Sequence, residues 1–264
     1  MICAERPKAS SRPTLLVSRC LNQDNCRYNA EILEDKILQN VKPYCDFKFV
    51  CPEVEIGMPT PRPPIRILAQ GSNLELIQPH SGSSFYESMV HFSRRRLDEL
   101  ENIDGFIMKA RSPSCGVFDT PYYTSIDGPK FSSRGSGIFT SQALQHFPEL
   151  PFIDEDHLLE KKYAKVFFTV CFAAAKLRDL SVSLLDFHEE YKPLLNQGKP
   201  SSILTLERYL HADCRDSYKS MALRLIKMNQ ANVLSANSAK RSIDSSLQMD
   251  TLNRFPVALE ELWN

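Results

Sequence analysis

Three cysteines in this sequence stand where chemistry could use them: Cys20 in LLVSRC, Cys51 in FKFVC and Cys115 in RSPSCG. They lie 31 and 64 residues apart, and no CxxC pair joins any two of them locally. Brought together, three thiolates make a metal centre with one coordination position left open, which is what catalysis needs. Zinc suits such a set, and so does an iron–sulfur cluster with one iron free of protein ligands. Cys26, six residues after Cys20, is either a fourth ligand or a thiol just outside the ligand set. The plainer alternative is three core thiols, because free cysteine is among the most buried residue types. That alternative also covers Cys171 inside VFFTVCFAAA, Cys45 and Cys214 with no companion at ligand spacing, and Cys3 near the N-terminus.

Cys51 runs directly into PEVEIGMPTPRPPIRI. Proline fixes its own φ and biases the residue before it toward extended backbone, so this stretch predicts a rigid loop. Glu53, two residues past Cys51, can serve as general acid or base if that loop is held still. Arg19, Arg27, Arg62, Arg66 and Arg111 all fall on the three cysteine-bearing loops. So many guanidinium groups suit an anionic substrate, phosphate included, through bidentate pairing. They equally suit a solvated basic rim paired with local acids.

The elements that must position these residues can be read from periodicity. TLLVS (14–18), FKFVC (47–51) and GFIMKA (105–110) predict strands. EILEDKILQNV (31–41), YESMVHFSRRRLDELEN (86–102) and FTSQALQHF (139–147) predict helices. Alternation of strand and helix predicts an α/β fold, a parallel Rossmann-like sheet with right-handed crossovers. The carboxyl ends of such strands share one edge, where ligands bind, and each of the three cysteines follows a strand end. After about residue 155 only helical patterning remains, over 156–180, 181–196, 201–212, 214–236 and 251–263, with breaks at Pro193, Pro200 and Pro256. The expected organisation is a domain over 12–156 and a smaller all-α domain over 157–264.

The 264 residues carry 32 basic and 32 acidic side chains, so no global field advertises nucleic acid or a membrane. No run of about 18 apolar residues exists, and MICAERPKASSRP lacks the apolar core of a signal peptide. The expected location is the cytoplasm, where eight cysteines point to metal or catalytic use rather than disulfides.

SRCLNQDNCRYN, CPEVEIGMPTPRPP and KARSPSCG, in this order and spacing, resemble the signature segments of the 2-thiouracil desulfidase family. FSSRGSGIFTSQALQHFPELPFIDED extends the likeness to about residue 156. EKKYAKVFFTVCF and LLDFHEEYKPLLNQGKPSSILTLERYL resemble the YbgA-like helical domain, which in bacterial tRNA 4-thiouridine desulfidases follows the desulfidase domain and is implicated in binding tRNA. The resemblance implies a 4Fe–4S cluster on Cys20, Cys51 and Cys115. It implies a thiolated uracil as substrate, most simply 4-thiouridine in tRNA, with the free base or nucleoside as the alternative. Water would replace sulfur without net redox change, the cluster acting as Lewis acid and sulfur acceptor. Glu53 matches the family's catalytic carboxylate, and Ser112 or Ser114 its polar partner, with Ser112 favoured; turn chemistry around Pro113 is the other use of these serines. Two departures stand out. Relatives commonly read CLLG and RYDG where this sequence has Cys20-Leu21-Asn22-Gln23 and Arg27-Tyr28-Asn29-Ala30. Gln230, in KMNQANVLSAN, replaces the first histidine of the relatives' helical-domain stretch. Residues 214–254 hold seven basic against three acidic side chains, a mild bias that a solvated helix surface explains as well as tRNA does. A different class of function, a non-catalytic iron–sulfur or RNA-binding module, would keep the same ligands. A structural zinc site fits less well, because such sites are normally closed by four ligands.

Overall fold

The computed structural model describes residues 12–71, 73–128, 131–195, 200–212 and 214–236. Cys3, the helical pattern at 251–263 and the basic residues beyond 236 lie outside the described residues. The chain begins with β1 (Thr14–Ser18), α1 (Lys36–Val41), β2 (Asp46–Val50) and α2 (Pro52–Glu55). There follow β3 (Arg66–Gln70), β4 (Asn73–Gln78), β5 (Ser83–Ser84), α3 (Tyr86–Asp98) and β6 (Gly105–Met108). Next come β7 (Thr120–Tyr123), β8 (Phe131–Gly135), α4 (Ile138–His146) and β9 (Phe152–Asp154). The described part ends with α5 (Glu155–Leu158), α6 (Lys161–Arg178), α7 (Leu184–Leu195), α8 (Pro200–His211) and α9 (Arg215–Ala236).

The first sheet runs β2-β1-β6-β9, every pair parallel. Its central strands read as unbroken apolar runs because helices cover both faces. Leu15, Val17 and Ile107 share a buried cluster with Ile37 and Val41 of α1 and Phe167 and Cys171 of α6. Leu16, Phe106 and Met108 pack instead with Met89 and Phe92 of α3 and Phe139 of α4. Each such side chain, fully buried, contributes about 1.5–3 kcal/mol. Cys171 is a packing thiol: a Cβ built on Gly105 would come 2.6 Å from its sulfur, so α6 reaches the sheet only over a glycine. Val170 and Leu177 of α6, Phe187 of α7 and Tyr218 of α9 belong to the same cluster as Leu16 and Phe106, so packing is continuous across residue 156.

Local expectations were met with shifted ends. α1 starts at Lys36 because Asp35 caps it, its carboxylate accepting from the Ile37 and Leu38 amides. The residues before it are drawn into a bridge between Leu21 and Leu33. The proline stretch is not entirely loop, since residues 52–55 form one helical turn. Pro52 stands at its first position, where no amide donor is needed. Pro193 lies inside the last turn of α7 and does not break it.

Periodicity reading missed the second sheet, β5-β4-β3-β7-β8, antiparallel except where β3 meets β7. Its signal was the alternation in RILAQ and NLELIQ on either side of a Gly71 turn. Among the described residues no helix is long and apolar enough to cross a membrane.

Candidate active site

β1 sits between β2 and β6, so the carboxyl ends of these three strands lie side by side. Cys20, Cys51 and Cys115 follow those ends and line one cavity of about 270 Å³, together with Cys26. All four thiols are less than a tenth exposed. Cys51 caps α2, and its amide donates to Glu55 Oε1 at 3.1 Å. The Cys20 carbonyl accepts from the Leu33 amide, which folds the following loop back over the sheet edge. The Cys115 turn is seated on the amino end of α4. The Ile138 and Phe139 amides donate to the carbonyls of Pro113 and Ser114, and Thr140 Oγ1 donates to that of Cys115 at 2.7 Å. Gly137 permits this approach, since a Cβ there would lie 2.5 Å from the Ser114 carbonyl.

The surroundings of Cys26, Cys51 and Cys115 favour the neutral thiol unless a cation joins them. Burial pushes Cys115 up, opposed by hydrogen bonds from Ser18 and Ser112. Cys51 is raised first by its shared hydrogen bond with Cys26 and then by burial. Cys26 is pushed up to about 11, chiefly by its hydrogen bond with Cys20. A bound metal reverses this order, because a coordinating thiol loses its proton outright.

Glu53 lines the same cavity from the first turn of α2. Its Oε2 accepts from Arg62 Nε at 2.9 Å and Nη2 at 2.7 Å, and its Oε1 accepts from Ser114 Oγ at 2.9 Å. A carboxylate offers about four lone-pair positions. Three are used, so one remains on Oε1 for a proton while the group is held still. Ser114, fully buried, is therefore the serine against Glu53. Ser112 lines the cavity, and its Oγ accepts from the Ser114 and Cys115 amides.

The five arginines go to different places. Arg62 is buried and donates also to the carbonyls of Cys26, at 3.0 Å, and Pro59, at 3.1 Å. It thus ties the Cys26 loop to the Cys51 loop and has little donor capacity left for a substrate. Arg19, Arg27 and Arg111 line the cavity, each beside a carboxylate: Glu55 at 2.8 Å, Glu31 at 2.9 Å, and the pair Asp156 and Asp119. Arg66 is not brought to the cavity. It opens β3, donates to the Ile126 and Gly128 carbonyls, and lies 4.5 Å from the Tyr123 ring centroid.

Among the cavity residues that sequence reading missed, three carry polar groups: Ser18, Tyr28 and Lys109. Ser18 ends β1 and Lys109 directly follows β6, so the strand-end rule that found the cysteines could have found them too. Lys109 is held by Glu155 and by the Ala110 carbonyl at 3.0 Å.

Ala30 has φ of 58°. A side chain in this left-handed region costs about 1–2 kcal/mol. Glycine there returns some unfolded-state freedom, about 0.4–1 kcal/mol. Ala30→Gly should therefore raise stability by about 1 kcal/mol, seen as a higher denaturant midpoint at unchanged slope.

The sequence matches the 2-thiouracil desulfurase family over residues 15–155. Among solved structures the chain is similar to the 4Fe–4S-dependent thiouracil desulfidase TudS, at 25% identity and a TM-score of 0.46, over 58% of this chain and 97% of that one. No curated protein matches it. The family match begins in β1, takes in all three cavity cysteine segments and spans more than half of the 264 residues: the chain belongs to the 2-thiouracil desulfurase family.

Proposed function

We propose that this protein is a 4Fe–4S-dependent desulfidase that converts a thiocarbonyl of thiolated uracil to a carbonyl by hydrolysis. The observation that carries the reading is the meeting of Cys20, Cys51 and Cys115 in one cavity with a fixed carboxylate in its wall. The donor set fits the cluster: three buried thiols, with Cys26 as the only further cysteine among the described residues that line the cavity. Among the described residues no three His, Cys, Asp or Glu side chains converge tightly enough for a single metal ion. A cluster asks for less, since each thiolate meets a different iron. When bound, it would supply a Lewis-acidic iron able to take the sulfur.

The chain's own groups account for the protons. Water adds at the ring carbon, the carbon–sulfur bond breaks, and the products are a carbonyl and hydrogen sulfide. Glu53 accepts one proton of the water at its free Oε1 position and returns it to the sulfur, then takes the second from the new hydroxyl as the carbonyl forms and passes it the same way, so both end on the departing sulfide. Ser114 and Arg62 keep that oxygen aimed.

4-Thiouridine in tRNA is the substrate we assign on the resemblance, with the helices after residue 156 as the tRNA-binding part. A second reading, free thiouracil or thiouridine, is favoured by the arginines. Every one that lines the cavity already has a carboxylate partner, so phosphate would have to displace an internal ion pair. Anaerobically reconstituted protein, incubated in parallel with thiolated tRNA, 4-thiouridine and 2-thiouracil, should release sulfide and yield the oxo base in equal amounts. Activity on tRNA should fall with salt, since phosphate contacts release counterions. Iron-loaded protein that frees no sulfide from any of the three would reject the desulfidase reading.

A further inference from the structure

Tyr28 is the one aromatic ring among the described residues that line the cavity, and it is 44% exposed. A tyrosine in a folded protein more often covers its ring and leaves only the hydroxyl wet. Here the ring is left open at the cavity while its backbone is pinned. The Tyr28 carbonyl accepts from the Arg62 amide at 2.8 Å, and the Ala30 amide donates to the Arg27 carbonyl at 2.9 Å, closing the turn that carries the ring. Arg27, paired with Glu31 at 2.9 Å, holds its guanidinium 5.6 Å from the ring centroid. A guanidinium on a ring is a cation–π contact that steadies the ring. The same proline loop that holds Glu53 through Arg62 therefore holds this ring. The two groups are in fixed register across one cavity.

We infer that Tyr28 is a stacking platform for the pyrimidine ring and sets the preference of the site for planar, aromatic thiocarbonyl compounds. This rests on the desulfidase reading for the identity of the substrate, but not for the stacking itself. The remaining polar side chains of the wall, among them Glu53, Lys109 and Arg19, are suited to hydrogen bonds with the edges of a base, and Arg19 is already paired with Glu55, so Tyr28 offers the one aromatic face. Stacking of a base on an aromatic side chain contributes about 1–3 kcal/mol by alanine substitution. That corresponds to about 5- to 150-fold in affinity.

The test uses the cluster-loaded full chain and its Tyr28→Phe, Tyr28→Leu and Tyr28→Ala variants. Equilibrium dialysis with uracil, which is not turned over, and with 5,6-dihydrouracil, whose ring is puckered, measures binding apart from chemistry. Wild-type and Tyr28→Phe protein should prefer uracil. Tyr28→Leu and Tyr28→Ala should bind uracil about 5- to 150-fold more weakly and lose the preference over dihydrouracil. In sulfide-release assays the same two variants should show raised KM with kcat and iron content little changed. Unchanged uracil binding in Tyr28→Leu would overturn the inference, and so would a Tyr28→Phe protein as impaired as Tyr28→Leu, since the hydroxyl would then be the group in use. A general packing defect would lower the binding of both bases equally and leave their ratio intact, which also overturns it. Should wild-type protein release no sulfide, the desulfidase reading fails, and the uracil-to-dihydrouracil ratio still decides the stacking claim.

Discussion

Alanine in place of Cys20, Cys51 or Cys115 should give a folded protein without stoichiometric iron, colourless after anaerobic reconstitution and inactive on every thiolated substrate. Each cysteine follows a different strand of one sheet edge and each lines the same cavity, so each is expected to hold its own iron. Cys26→Ala should keep its iron. Cys26 touches Cys20 and Cys51, but it sits on a loop and its carbonyl is held by Arg62. Its loss removes a small buried group, with a stability cost of about 1 kcal/mol. Iron and sulfide analysis on the four variants checks the assignment. A Cys26→Ala protein without iron, alongside a Cys115→Ala protein that retains it, would overturn the ligand set.

Glu53→Gln should retain the cluster and its colour, bind thiolated substrate, and turn over about 100- to 10,000-fold more slowly, the usual contribution of a positioned acid–base group. The structure shows why the fold should survive. The glutamine carbonyl can take the place of Oε2 against Arg62, and its NH2 can donate to the Ser114 oxygen. The competing role is charge balance alone. Arg62 is a buried guanidinium with Glu53 as its carboxylate partner, and breaking such a pair typically costs about 3–5 kcal/mol. If balance were the whole role, Glu53→Gln would lose iron or stability, and the loaded fraction would be fully active. Iron content, denaturant midpoint and sulfide release on one preparation separate the two. Normal turnover by a fully loaded Glu53→Gln protein would remove Glu53 from the chemistry.

What the sequence determined by itself was the central sheet and the meeting of the thiols. β1, β2 and β6 are short apolar runs, and the intervening segments carry helical spacing, so local periodicity and the handedness of parallel crossovers place Cys20, Cys51 and Cys115 at one edge. That step needs no knowledge of which side chain touches which. In the second sheet only the β3–β4 hairpin is local in its pattern, alternating about Gly71, while the pairing of β3 with β7 joins Ile67 to Tyr122 and is carried by neither segment alone. Tertiary structure alone decided the polar contacts. Arg62 and Arg66 are four residues apart, yet one is buried against Glu53 and the other belongs to the second sheet, because β3 begins at Arg66. Ser112 and Ser114 are indistinguishable by type and spacing, yet only Ser114 reaches Glu53, across 61 residues of chain. Whether Arg19 or Arg111 faces a substrate or a carboxylate of its own chain also turns on partners distant in sequence, Glu55 for one and Asp156 for the other. Periodicity reports which face of an element is buried, whereas a hydrogen bond depends on ångström-scale placement of two loops that only the packed core brings together.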